Sequence, residues 1–357
     1  MLQRRKTRTV SVGGLKMGSE HPVSIQSMTK TDTRDVLSTV KQIRQLEKAG
    51  CELVRVAVKD MDSARAIGEI KKQIGIPLIA DIHFDHRLAI ESVKRGSDKI
   101  RINPGNITKR EHIEAVIDAC MEAGLPIRVG INSGSIGKMA AGKGATAHEM
   151  VEALQRYLEP FRKKGFGDLI ISLKASSVLT TVESYRMMAS LCDYPFHIGV
   201  TAAGPPSEGI IRSSIGIGSL LLDGIGDTIR VSLTGSPLPE VDAAKRILAA
   251  VGARSFGHSI ISCPTCGRCQ VDLAPLVEKL QKEVEELTAR PLTIAIMGCE
   301  VNGPGEAGTA DIGIAFGRNR GAIFRDGEII KTVRVSEAVE ELVRMIKEQI
   351  TDGPPRE

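Results

Sequence analysis

The sequence predicts an α/β protein: an N-terminal (β/α)8 TIM-type barrel over residues 1–254, then a small α+β domain over residues 255–357. Three observations predict it. Eight short β-like runs, each closed by a turn signal, precede residue 235. Segments of helical period separate them, and an eighth helix, SPLPEVDAAKRILAAVG, follows the last. After about residue 255 this alternation stops.

Taken in order, RTVSVGGLKMG reads as a small hairpin suited to plugging the bottom of a barrel. The eight strands are PVSIQSMT (22–29), LVRVAV (53–58), PLIADIHF (77–84), KIRINPG (99–105), PIRVGINSG (126–134), DLIISLKAS (168–176), PFHIGVT (195–201) and TIRVSLT (228–234). Between them, DVLSTVKQIRQLEKAG and REHIEAVIDACMEAG repeat apolar residues at helical spacing and stop at Gly50 and Gly124. A doubly wound open sheet is the alternative, but no GxGxxG turn follows the first strand. The second domain opens with a cysteine turn and the amphipathic helix VDLAPLVEKLQKEVEELT. The strand LTIAIMG, the Gly-rich CEVNGPGEAG, the runs ADIGIAF, GAIFRDG and EIIKTV, and the helix SEAVEELVRMIKEQI complete it. Its length is enough for a core of its own.

Composition narrows the function. There is no Trp and aromatics make up 3%, too few for base-stacking platforms. The net charge of +5 is scattered and interleaved with acids, which fits an anionic small substrate or a negative protein partner better than nucleic acid. No apolar stretch follows the basic MLQRRKTRTV, and no run of about 18 apolar residues offers a membrane span. The expected location is the cytoplasm, where thiols stay reduced and a cysteine cluster reads first as a metal or redox site.

Barrel active sites lie at the C-terminal ends of the strands. Those ends carry Arg55, then Asp81 and His83, Arg101 and Asn103, Arg128 and Asn132, Lys174, His197, and Arg230 with Ser232. The pairs are spaced by two or four, so each pair shares one face of its strand. Four Arg and one Lys with one Asp predict a phosphate-rich ligand, since inward charge is costly unless an anion meets it. The competing reading makes them outward residues paired with surface acids. His83 and His197 suit substrate hydroxyls, and no third ligand joins Asp81 and His83 at a metal spacing.

Cys263, Cys266 and Cys269 form CxxCxxC, with Cys299 at the end of a later strand and Glu306 in NGPGEA. A C-x-x-C turn lets two thiolates reach one metal or cluster. Four sulfurs could close a zinc site, although such sites usually pair two CxxC units. An iron–sulfur cluster is the favoured reading. Cys51, Cys120 and Cys192 read as buried apolar fillers.

ADIHFD, RINPGNI, SLKASSV, GIGDTIRVSL, SCPTCGR and MGCEVNGPGEA together resemble the 4-hydroxy-3-methylbut-2-enyl diphosphate synthase family, from RRKTR to about residue 317. The resemblance implies a barrel followed by an iron–sulfur reductase-like domain carrying one 4Fe-4S cluster per chain, held by Cys263, Cys266, Cys299 and Glu306. It implies an oxidoreductase acting on CH or CH2 groups in the methylerythritol phosphate route to isoprenoids. Two electrons from reduced flavodoxin or ferredoxin would open 2-C-methyl-D-erythritol 2,4-cyclodiphosphate and expel water, giving the linear allylic diphosphate. It also implies a head-to-tail homodimer, the cluster domain of one subunit closing the barrel mouth of the other. Asp81, His83 and Glu306 are the catalytic candidates, and the cations above are the diphosphate site. A phosphate-binding barrel with a structural zinc and no redox chemistry is the second reading.

The chain departs from the family pattern in three places. Ala202, in VTAAG, stands where the pattern has Glu. Two expectations stay open there, a slow variant or Glu208 in the role. The segment GSIGKMAAGKGATAHEM is richer in Gly and Ala than the pattern's charged one. Cys269 is an extra thiol, either a bystander or a competitor of Glu306.

Overall fold

The computed structural model describes residues 3–136, 145–285, 287, 291–301, 305, 307–308 and 310–352. Glu306, and residues 137–144 of the Gly- and Ala-rich segment, lie outside the described residues. The chain divides into two compact units, Met1–Arg254 and Ser255–Glu357.

In the first unit a hairpin, β1 (Val10–Val12) and β2 (Leu15–Met17), precedes the barrel. There follow β3 (Ser24–Met28), α1 (Val36–Lys48), β4 (Leu53–Val58), α2 (Met61–Lys71), β5 (Leu78–Ile82), α3 (His86–Lys94), β6 (Lys99–Ile102) and α4 (Arg110–Ala123). The second half is β7 (Ile127–Asn132), α5 (Ser133–Ile136), α6 (Ala147–Tyr157), α7 (Glu159–Lys163), β8 (Leu169–Lys174), α8 (Val178–Ala189), β9 (His197–Ile198), α9 (Pro206–Leu222), β10 (Thr228–Ile229) and α10 (Leu238–Ala250). The parallel strands run β8-β7-β6-β5-β4-β3-β10-β9. A parallel bridge from Ile171 to Phe196 closes the ring. The predicted barrel is therefore present, with the helices packed around it neighbour to neighbour and α10 returning to α1. Asp35, Asp60 and Asp85 cap α1, α2 and α3 by accepting first-turn amides at 3.0, 2.8 and 2.9 Å. Each such cap contributes about 1 kcal/mol and fixes the strand-to-helix loops around the mouth.

The hairpin does plug the barrel. Val10, Val12 and Met17 form one cluster with Leu53, Ile79 and Ile170, inward residues at the N-terminal ends of three strands. The basic segment before it is a strap. The Arg4 guanidinium donates to Asp227 at 2.6 Å, the Arg5 amide donates to the Gly224 carbonyl, and the Arg5 guanidinium lies 4.0 Å over the Phe196 ring. Cys51 and Cys120 are buried as expected, whereas Cys192 is only half-buried.

The second unit is one five-stranded sheet, β11 (Ser259–Ser262), β12 (Thr293–Met297), β13 (Ile312–Phe316), β14 (Arg320–Arg325) and β15 (Glu328–Arg334), in chain order. The first three strands are parallel and the rest antiparallel. The sequence reading did not assign a strand to 259–262. Four residues with both ends exposed carry little apolar period, and pairing with β12 supplies the order. Helix α11 (Leu273–Glu285) and the last helix (Ala338–Asp352) share a core with the sheet through Leu280, Ile296, Ile314, Phe316 and Leu342. No helix among the described residues is long and apolar enough to cross a membrane.

Candidate active site

Strand register builds the polar face of the barrel. Asp81 pairs across to Arg101, and Arg101 to Arg128, so three charges lie in one row on neighbouring strands. Arg101 donates to Asp81 at 2.8 Å, and Arg55 lies 3.4 Å from the other carboxylate oxygen. Burial would push the Asp81 carboxyl up, but the charges of Arg55, Arg101 and Arg128 outweigh it and hold it well below the usual carboxylate range. Burial lowers Arg55 to about 9, still charged at neutral pH, and its fork rests on the Met28 thioether, a weak acceptor. Gly130 leaves room for Arg101, whose Nη2 donates to the Gly130 carbonyl at 3.3 Å.

One acid does not satisfy this set. Arg128 is 2% exposed, and its Nε and Nη1 have no hydrogen-bond partner among the described residues. Lys174 is buried opposite Asn132 in register. Burial first, then repulsion from neighbouring guanidiniums, depresses the pKa of both Arg128 and Lys174. Arg230 follows β10 and lies 3.7 Å from Glu240, with its Nε unpartnered. Ser232 is half-buried two residues on. Asn103 donates to the Ser135 hydroxyl at 2.8 Å and accepts the Gly105 amide.

The histidines differ. The Nδ1 of His83 faces two carbonyl oxygens, those of Asp81 at 3.0 Å and Val58 at 3.3 Å. Nδ1 therefore carries the hydrogen, and Nε2 is left to accept or relay a proton. His197 is fully buried, in register with Thr228 and thus one step deeper than Arg230. Its Nε2 is unpartnered among the described residues, and burial with nearby cations, Lys174 first, keeps it neutral.

Asp81 makes a testable contribution to stability. Its folded pKa lies below its unfolded value, so the contribution is complete above about pH 4 and fades as pH falls further. Asp81→Asn should destabilise the ligand-free chain by about 3–5 kcal/mol at pH 7, because two buried guanidiniums lose their counter-charge. Urea denaturation at pH 7 and pH 3 checks this, and the gap between variant and parent should shrink at pH 3.

In the second unit the cysteine turn leaves β11 and Cys299 leaves β12, at the same end of two adjacent parallel strands. The Gly298 amide donates to the Cys263 sulfur at 3.2 Å. A Cβ on Gly298 would come 2.2 Å from the Cys269 sulfur and 3.4 Å from that of Cys263. Cys266 is exposed, and hydrogen bonds from Arg268 lower its thiol pKa. Cys299 is buried. Cys263 also packs on the cluster containing Ala307, the residue after Glu306. Among the described residues no three His, Cys, Asp or Glu side chains converge as ligands. The donor chemistry still fits an iron–sulfur cluster. Soft thiols gather around a backbone position with no room for a side chain, and the carboxylate candidate lies outside the described residues.

A family profile described as the GcpE TIM-barrel domain matches residues 7–245, and one described as the GcpE protein C-terminal domain matches residues 259–348. The chain belongs to the GcpE family. Its relatives include proteins named 4-hydroxy-3-methylbut-2-en-1-yl diphosphate synthase (flavodoxin). The one from Thermodesulfovibrio yellowstonii is 52% identical over 97% of this chain and 100% of its own length. That from Clostridium perfringens is 52% identical over 97% of this chain and 99% of its own. The resemblance carried by the six motifs is thus borne out. Among solved structures, the Yersinia pestis dihydropteroate synthase aligns over 69% of this chain and 97% of its own, at 14% identity and a TM-score of 0.49.

Sequence reasoning missed two buried charged groups near these residues, Lys99 and Glu240. Lys99 is fully buried with its Nζ unpartnered among the described residues, and burial with Arg128 and Arg55 nearby depresses its pKa strongly. Its spacing of two from Arg101 and four from Asn103 could have found it. Glu240, at the start of α10, accepts from Lys30 at 3.0 Å and from Ser27 at 3.2 Å. No strand period marks a helix residue as inward, so Glu240 carried no such signal. Ala202 is exposed just past β9, in the left-handed conformation at φ 49°. Glu208 is exposed on α9 and paired with Arg212 at 3.5 Å.

Proposed function

We propose that this chain converts 2-C-methyl-D-erythritol 2,4-cyclodiphosphate into 4-hydroxy-3-methylbut-2-enyl diphosphate, with electrons from reduced flavodoxin, in the cytoplasm. The observation that carries the reading is the buried, under-neutralised cation set inside the barrel, in a chain of the GcpE family. Arg55, Arg101, Arg128, Lys174 and Arg230 bind the diphosphate, and Asp81 and Glu240 hold their guanidiniums in place. Asn103, Asn132 and Ser232 take the remaining oxygens. His83, with Nε2 free, exchanges a proton with a substrate hydroxyl. His197 supports the site from below as a neutral group. Two electrons enter, the carbon–oxygen bond to the diphosphate opens, and a hydroxyl departs as water.

Cys263, Cys266, Cys299 and Glu306 hold one 4Fe-4S cluster per chain. Bound there, the cluster supplies the electrons and a Lewis-acidic iron, for which a carboxylate is a weaker ligand than thiolate. Anaerobically purified protein should be brown, with broad visible absorption, and should consume the cyclic diphosphate when given reduced flavodoxin. A colourless, zinc-loaded, inactive protein would support the phosphate-binding barrel instead.

The chain works as a head-to-tail homodimer in which the barrel of one subunit uses the cluster of its partner. Heterodimers of an Arg128→Ala subunit with a Cys299→Ser subunit should then recover activity, since one hybrid site keeps both parts. No recovery in verified heterodimers would place barrel and cluster of one site in the same chain.

A further inference from the structure

Cys269 lies outside the ligand set, yet its surroundings give it a partner. Its sulfur and that of Cys263 lie against the same backbone position, Gly298, where any side chain would collide with the Cys269 sulfur. Both cysteines are half-buried and pack against the same core. Backbone groups hold each thiol. The Cys269 sulfur donates to the Val271 carbonyl at 3.2 Å, and the Cys263 sulfur accepts from the Gly298 amide at 3.2 Å. The Cys269 amide donates to the Cys266 carbonyl at 2.8 Å, which folds the chain back toward Gly298. Cys266, the sequence neighbour expected to pair in a CxxC unit, is exposed, and its sulfur is engaged by Arg268.

We propose that, before a cluster is bound, Cys263 and Cys269 form a reversible disulfide that keeps a cluster ligand from irreversible oxidation. The oxidant is a small disulfide such as oxidised glutathione. One thiolate of the pair attacks it, forming a mixed disulfide and releasing one small thiol. The second thiolate then attacks the protein sulfur of that mixed disulfide and releases the other small thiol. Two protein thiols are oxidised, one small disulfide is reduced, and the two protons leave on the released thiols. The disulfide returns to thiols with a reductant, whereas a sulfinic acid on Cys263 does not. This inference concerns the cluster-free chain and rests on the proposed reading of Cys263 as a cluster ligand, not on the proposed reaction.

The sequence gives the experiment a direct readout. Trypsin cuts after Arg268, placing Cys263 and Cys266 in the peptide 255–268 and Cys269 in the peptide 269–279. The cluster-free full chain is incubated with oxidised glutathione, alkylated, digested and weighed. The expected result is a cross-link joining these two peptides, with Cys266 alkylated, that disappears on treatment with dithiothreitol. A disulfide confined to 255–268, or glutathione retained on Cys263 while Cys269 is alkylated, overturns the proposal. As a second arm, parent and Cys269→Ser chains are exposed to peroxide, which converts the Cys263 thiol to a sulfenic acid with release of one water; in the parent the Cys269 thiol then closes the same disulfide with release of a second water. Both chains are afterwards reduced and supplied with iron and sulfide. The parent should regain its visible absorption and the variant should keep a sulfinic acid on Cys263. Equal sulfinic acid in both chains would also overturn it. Unoxidised Cys269→Ser taking up the cluster normally establishes that the variant folds.

Discussion

Replacing Ala202 by Glu is expected to raise kcat by a factor of about 100 to 10,000 while moving KM little. Residue 202 follows β9 at the C-terminal face, where the reacting groups of this fold lie. Ring opening leaves a hydroxyl that must depart as water, and a positioned carboxylic acid protonates it. Alanine can neither donate that proton nor accept a hydrogen bond. The left-handed backbone at this position strains Ala and Glu alike, so the exchange leaves the fold unchanged. Glu208 is the one alternative named by the sequence, but it is exposed and paired with Arg212. Glu208→Gln should therefore leave kcat within about twofold, against the factor of 100 or more that losing a general acid would cost. Single-turnover kinetics separate chemistry from release. Equal chemical steps in the parent and Ala202→Glu would show that this position supplies no proton.

Arg128→Met should move binding and stability in opposite directions. Each charged hydrogen bond lost costs about 1.5–3 kcal/mol, roughly one to two decades in affinity for the cyclic diphosphate. Without ligand the same change removes a buried charge whose Nε and Nη1 have no partner and whose neighbours repel it. An apolar side chain of similar volume is then expected to stabilise the fold by about 1–4 kcal/mol. Titration calorimetry reads the first effect and scanning calorimetry the second. Unchanged affinity would remove Arg128 from the site. A lower Tm would mean that its charge is already balanced in the free protein.

The barrel was readable because its strands carry apolar runs between turn signals and its helices keep one apolar stripe. The inward cations were readable from spacing alone, since Arg101 and Asn103, or Asp81 and His83, share a face at period two. Reading failed where order comes from tertiary pairing. The eighth strand read as 228–234 is regular only over Thr228–Ile229, so Arg230 and Ser232 sit on a loop held by its neighbours. The short β11 has no period of its own, and Glu240 reaches the site from a helix. Lys99 was missed for another reason: it begins its strand, where a lysine ordinarily reads as a solvated end.

The hairpin that plugs the barrel also constrains synthesis. Val10, Val12 and Met17 leave the ribosome long before Ile170 and then Asp227, which hold the plug and its strap. At ordinary elongation rates that interval is on the order of tens of seconds. Throughout it the apolar hairpin has only part of its partner surface, and the strap has its bonds to Ser19 and His21 but lacks Gly224, Asp227 and Phe196. The nascent chain therefore carries a defined apolar segment that stays partly uncovered for that time. A fusion or truncation that disturbs residues 4–17 should therefore lower yield through aggregation during translation.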